Sequence, residues 1–303
     1  MKNKPFVSAR PLHLMLLPAV VLLIVYNYVP MAGIVMAFQR FDIFLGIRAF
    51  WESQWVGFQN YRDLIRMGDP INVVLNTLNI AVWKIIFGTI VPLFIALLLN
   101  ELRKSSIRRV IQTIIYLPHF LSWVILGGIF RSMFSVDGLV NQFTGLLGLE
   151  PISFLQSNTW FVPVLIVTET WKEFGFGTII YLAAIIGLDP GLYESAIIDG
   201  ANRVQRARYI TIPGIASTVI LLLVLRLRGI LRAGFDQVFN LYNPQVYETG
   251  DIIETFVYRM GFESTTPLYD YATAIGLFQS AVSMVLIVIS YWLASKFANY
   301  RIF

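Results

Sequence analysis

The stretch GLYESAIIDGANRVQRARYITIP, Gly191 to Pro213, carries two acids, three arginines and an internal glycine, and it lies between two of the most apolar segments of the chain. Its position decides the fold, because a polar segment of this length between two lipid-soluble runs reads as a loop joining membrane spans. The composition agrees. Of the 303 residues 57% are hydrophobic and 14% are charged, with a mean hydropathy of +0.68, a balance found in multi-span membrane proteins rather than soluble domains. At about 20 residues per span the length allows roughly five to seven helices and no large soluble domain, so residues 1–303 read as one transmembrane domain. In a soluble protein a net charge of +5 would suggest nucleic acid. In a membrane protein it records which loops stayed in the cytoplasm, and no nucleic-acid partner is expected. With no cysteine, disulfides and thiolate chemistry are excluded, and two histidines, His13 and His119, make a poor metal site.

Working outward from the opening stretch, six runs are long and apolar enough to span. The first is Pro11 to Gln39, free of Asp, Glu, Lys and Arg; it is too long for the apolar region of a signal peptide and reads as a retained span. The others fall within Ile71 to Leu99, Ile111 to Phe130, Trp160 to Leu188, Ile210 to Ile230 and Tyr271 to Ala294. With the N-terminus inside, the inner segments hold twelve Lys and Arg against four acids, and the outer segments hold seven against twelve acids. This bias predicts that both termini and the opening stretch are cytoplasmic.

The local signals in that stretch predict a separate short helix. Asp189 is placed to cap it, Pro190 suits its first position, and Gly200 supplies a left-handed exit. Leu192, Tyr193, Ala196 and Ile197 recur at three-and-four spacing, with Glu194 and Asp199 off that stripe. A helix of about ten residues is marginal alone, so its apolar stripe calls for a groove or for the lipid headgroups.

Glu194-Ser195-Ala196, three residues, Gly200, nine residues and Ile210-Thr211-Ile212-Pro213 resemble, without a gap, the EAA signature of permease subunits in binding-protein-dependent ABC importers. Ser195 stands for the second alanine and Ile212 for leucine. Val56-Gly57-Phe58-Gln59-Asn60-Tyr61 resembles the outer-loop motif of the sugar permeases, and Leu97 to Glu101 with Tyr116 to Trp123, and Phe235 to Pro244 with Ala274 to Gln279, resemble their polysaccharide-type (LplB-like) branch. The resemblance implies an all-α, six-span fold of the type I ABC importer. It also implies that residues of about 190–200 form the coupling helix, with Leu192, Tyr193, Glu194, Ser195, Ala196, Ile197, Asp199 and Gly200 docking in a separate ATPase. No Gly-Lys dipeptide occurs, so no phosphate-cradling loop is present, and ATP and magnesium are expected on that partner. The implied assembly has two permease subunits, a heterodimer, with two ATPases and an extracytoplasmic solute-binding protein in a bacterial cytoplasmic membrane.

Charges inside the spans are the remaining signal. Glu169, Lys172 and Glu173 share one face of the fourth span, too deep for easy escape to water, and a carboxylate there costs on the order of 2.5 to 3.5 kcal/mol unless it faces protein or water. Arg226 and Arg228 sit at matching depth in the fifth span. One reading is an ion pair of Glu169 or Glu173 with Arg226 that locks the packing. The other, implied by the resemblance, is a substrate path of Glu169, Trp171, Lys172, Glu173, Phe176, Arg226, Arg228 and Arg232, with aromatic rings for sugar faces. Its arginines would suit an acidic, uronate-containing oligosaccharide. Lys84 reads as a snorkelling or helix-contact residue, Gly127-Gly128 as close helix packing, and His119 as structural. An ion-coupled secondary sugar transporter would use the same carboxylates, but no internal repeat supports it.

Overall fold

The computed structural model describes residues 10–297 apart from 103 and 228. Three helices are singly long and apolar enough to cross a bilayer, His13–Phe38, Asp69–Asn100 and the run beginning at Tyr269, and three bent pairs bring the spans to six. The described residues are overwhelmingly helical, with one two-stranded ribbon. They form two compact units, one built on the residues up to Arg66 with Val257–Leu277, the other on Met67–Phe256 with the residues from Phe278 on.

In the first unit the first span closes on its own loop. A ribbon pairs Gln39 with Trp55 and Arg40 with Gln54, and the amides of Val56 and Gly57 donate to the Phe38 carbonyl at 2.9 and 3.0 Å. Asn60, buried, donates to the carbonyls of Ala37 and Gln39 at 3.0 Å each. Phe38 packs on Trp55, Phe58 and Tyr61. The stretch Val56 to Tyr61 therefore satisfies the backbone groups orphaned where the first span ends.

In the second unit the axis is the second span, Asp69–Asn100, laid along the fourth, Phe161–Ile186. Small residues bring them together: a β-carbon on Gly177 would stand 3.0 Å from Pro92, and Thr178 Oγ1 donates to the Pro92 carbonyl at 3.3 Å. Apolar side chains fill the space on either side, around Ile80, Leu126 and Leu165 toward one end and around Leu99, Tyr181 and Ile215 toward the other.

Two expected single spans are broken. The third is a pair, Ser105–Phe120 and Trp123–Met133, meeting at 100°. Pro118 ends the first helix in a 3-10 turn, Leu117–Phe120, and Ser122 starts the second by accepting from the Ile125 amide. The fifth bends by 59° between Arg203–Gly214 and Ala216–Leu227. There the turn before Pro213 widens into a π-turn, Ala207–Thr211, where the proline ring and its missing N–H disturb the helix ladder. The same device precedes Pro30 in the first span, at Ile24–Tyr28.

The glycine pair reads differently from expectation at one position. A β-carbon on Gly127 would meet Asn240 at 2.9 Å, so that residue does mark close packing, whereas Gly128 faces open space. The closest approach lies elsewhere, at Gly175, where a β-carbon would stand 1.9 Å from the Ile115 carbonyl oxygen. Gly127→Ala and Gly175→Ala should each destabilise by about 1 to 3 kcal/mol through overpacking, with Gly175→Ala the worse, and Gly128→Ala should be neutral. Thermal melting of the purified variants in detergent ranks them.

Candidate functional site

Two constellations carry the residues picked out from sequence. The first is the segment after the fourth span, which turns by 72° into the helix Pro190–Ile198. Asp189 Oδ1 accepts from the Gly191 amide at 2.9 Å, and Pro190 opens the helix, as its signals predict. Its end is a Schellman motif: Ala201 N donates to Ala196 O at 2.8 Å and Gly200 N to Ile197 O at 3.1 Å, with Gly200 left-handed at φ 79°. No atom lies within 4 Å of a β-carbon built on Gly200, so the backbone alone demands glycine there.

The expected apolar stripe is divided. Tyr193 and Ala196 turn toward the chain, and the Tyr193 hydroxyl meets Thr211 Oγ1 at 2.9 Å. Leu192, Ile197 and Ile198 face out, 52%, 55% and 86% exposed, with Glu194, Ser195 and Asp199 also at the surface. Ile198, off the predicted stripe, is thus part of the outward apolar surface. Below the helix a cleft of about 330 Å³ runs between Asn100, Ile186, Leu188 and the side chains of Tyr193 and Ile197. A capping box of Asn202 with Gln205 starts the next helix. Arg203 and Arg206 reach Glu101 at 3.5 and 3.7 Å, tying the segment to the end of the second span.

The second constellation is the set of charges within the spans, and it separates into two groups. Around the second span, Lys84 Nζ donates to the Ala233 carbonyl at 2.6 Å and to Gln237 Oε1, and lies 3.8 Å from Glu169. Gln237, fully buried, donates in turn to Leu165 O at 2.7 Å and Thr168 Oγ1 at 2.8 Å. Gly234, left-handed, leaves room for the ammonium, which a β-carbon there would meet at 3.1 Å. Lys84 is therefore a helix contact and does not snorkel. Beside it a cavity of about 180 Å³ is lined by Lys84, Glu169, Arg226, Gly229 and Arg232. The Arg226 guanidinium lies against Gly88 of the second span. Outside the spans, burial pushes the Glu254 carboxyl above its ordinary range against the pull of Arg232.

The second group gathers at the break in the third span. Glu173 accepts from Lys172 at 2.9 Å and meets His119 Nδ1 at 2.8 Å, and Lys172 Nζ also donates to the His119 carbonyl at 2.9 Å. His119 stacks on Phe176 with centroids 4.5 Å apart. Trp171, half-exposed, meets Phe130 edge-on. The anticipated pair of Glu169 or Glu173 with Arg226 does not form among the described residues; Lys84, Lys172 and His119 take those carboxylates because they stand closer. Lys172, 7% exposed, is a staple between spans. Arg228 lies outside the described residues.

Residues 88–299 match the family described as binding-protein-dependent transport system inner membrane components. The chain belongs to that family. This permease is 42% identical over 293 residues to protein LplB of Bacillus subtilis (strain 168), covering 96% of its own length and 91% of that relative. It is 39% identical to the polygalacturonan/rhamnogalacturonan transport system permease protein YteP of the same organism, covering 98% and 91%. Its fold matches a chain of a bacterial alginate ABC transporter solved in complex with alginate pentasaccharide-bound periplasmic protein, with a TM-score of 0.86, 37% identity and 97% of both chains covered. Membership decides against the ion-coupled alternative: the chain is an ABC importer permease with the six-span fold.

Sequence reasoning missed His119 and Gln237 as members of these clusters and gave Lys84 too small a part. A polar residue beside Pro118, and a glutamine in the stretch Phe235 to Pro244, were the available signals. Replacing Lys84 by Met removes the donor that the Ala233 carbonyl and the buried Gln237 share and the cation beside Glu169. The expected loss is roughly 3 to 5 kcal/mol, partly recovered in Lys84→Met/Glu169→Gln, and a double-mutant cycle on thermal stability reads the coupling.

Proposed function

We propose that this permease carries an acidic, uronate-containing oligosaccharide, handed over by an extracytoplasmic solute-binding protein. It works as a heterodimer with a second permease subunit on two ATPases that hold the ATP and magnesium. One observation carries the substrate class: a mid-span cavity holds Lys84, Arg226 and Arg232 against the single carboxylate of Glu169. Two of these cations are arginines, whose planar forks match a carboxylate. Glu169 Oε2 faces Lys84 at 3.8 Å, so the two arginines are the cations left for a ligand. Trp171 and Phe176 offer half-exposed rings along the same helix. That two relatives are named for alginate and for polygalacturonan or rhamnogalacturonan supports the same class. In this reading Lys172 and His119 hold Glu173 and Phe176 in place.

The charge bias of the loops supports cytoplasmic termini and so a cytoplasmic Pro190–Ile198 helix, with Leu192, Ile197 and Ile198 entering the ATPase cleft. ATP binding closes the ATPases, the docked helices follow, and the cavity opens outward to receive the sugar; hydrolysis returns it inward.

Two measurements test the scheme. Arg226→Gln and Arg232→Gln should each cut uptake of uronate oligomers roughly tenfold or more, while the ATPases remain bound and neutral oligomers are affected less. Equal loss for both substrate classes overturns the acidic reading. Separately, Leu192→Glu/Ile197→Glu should abolish co-purification of the ATPases in mild detergent and leave the two permease subunits paired.

A further inference from the structure

Between the first span and its closing ribbon the chain makes a short excursion, Ile43–Arg48 and Ala49–Glu52, and turns three large apolar side chains outward. Phe44 is 87% exposed, Ile47 78% and Trp51 77%. Left in water, a grouping of this kind is unfavourable. The base of the excursion is fastened from the inside. Ala49 is fully buried, the Asp42 amide donates to Ser53 Oγ at 3.1 Å, and Gln39 Nε2 donates to the Phe50 carbonyl at 3.2 Å.

These fastenings also fix its height. The first span ends at Phe38 and the ribbon begins at the next residue. The ring of Phe41 lies 5.4 Å from Phe50 and 6.4 Å from Tyr269, the first residue of the sixth span. The excursion is therefore level with two span ends, where hydrocarbon gives way to headgroups. Trp is at home at that depth, Phe is common on the apolar face of interfacial segments, and the exposed Arg48 can lay its stem along apolar surface with its guanidinium among phosphates.

We propose that Phe44, Ile47 and Trp51 enter the boundary between headgroups and acyl chains, so that residues 43–52 form an interfacial foot resting on lipid. The bilayer is the occupant because the fastenings hold these apolar side chains beside the ends of two spans, at the depth where hydrocarbon gives way to headgroups.

The absence of cysteine from the chain allows a direct test. Ile47→Cys, Trp51→Cys and, as an aqueous reference, Gln54→Cys are each labelled with a nitroxide. They are studied in the complete transporter, with cysteine-free partner subunits, in nanodiscs of phosphatidylethanolamine and phosphatidylglycerol. Phe44→Cys serves as the third apolar position should one of the others fail to assemble. Power-saturation spectroscopy should find labels at the apolar positions several-fold more accessible to oxygen, relative to a water-soluble nickel chelate, than the label at 54, with no change when loaded binding protein is added. Nickel access equal to that at 54 overturns the proposal. So does immobilisation that appears only with the binding protein, or shielding from both reagents already present in detergent, either of which would assign the surface to a protein partner.

Discussion

A buried ammonium needs oxygen around it, and Lys84 finds oxygen on several segments at once. Its nitrogen bonds the Ala233 carbonyl and the Gln237 amide beyond the fifth span and stands 3.8 Å from the Glu169 carboxylate in the fourth. The ammonium itself is almost wholly out of water, so these oxygens carry its solvation. The cavity beside Lys84 owes its walls to this arrangement, and Gly234 supplies the left-handed turn and the empty volume that let the chain pass the nitrogen. The cavity thus adjoins an ammonium whose partners the fold already supplies.

The spans were legible because lipid imposes a length and a composition that few other structures share. Their interruptions were not. Pro118 and Ser122 are ordinary signals for a stop and a start, yet the third span was read as continuous because apolarity runs through both halves. Hydropathy reports the surroundings of a residue, not the direction of the chain, so a 100° turn inside an apolar run leaves no trace in it. The short helix after Asp189 was legible to the residue because cap, proline and glycine are local backbone effects that need no tertiary partner.

The buried charges were legible as a group and misread as pairs. Depth along a helix follows from rise per residue, and that placed Glu169 and Glu173 level with Arg226. Rotation about the axis and the identity of the nearest neighbour depend on packing, and packing gave the carboxylates to Lys84, Lys172 and His119. His119 was the hardest to foresee. Its ring is positioned by a kink the apolar pattern conceals, and it covers one face of Phe176.

The helix Pro190–Ile198 hangs between two elbows, a 72° turn on the side of the fourth span and a 59° bend within the fifth. A body suspended in this way converts a push into tilt. The fourth-span helix has 26 residues and is about 39 Å long, so displacing its lower end by about 4 Å swings it through roughly 6° about its far end. The stroke is then largest near the elbows and smallest at the opposite end of the helix, as in a lever whose fulcrum lies at that far end.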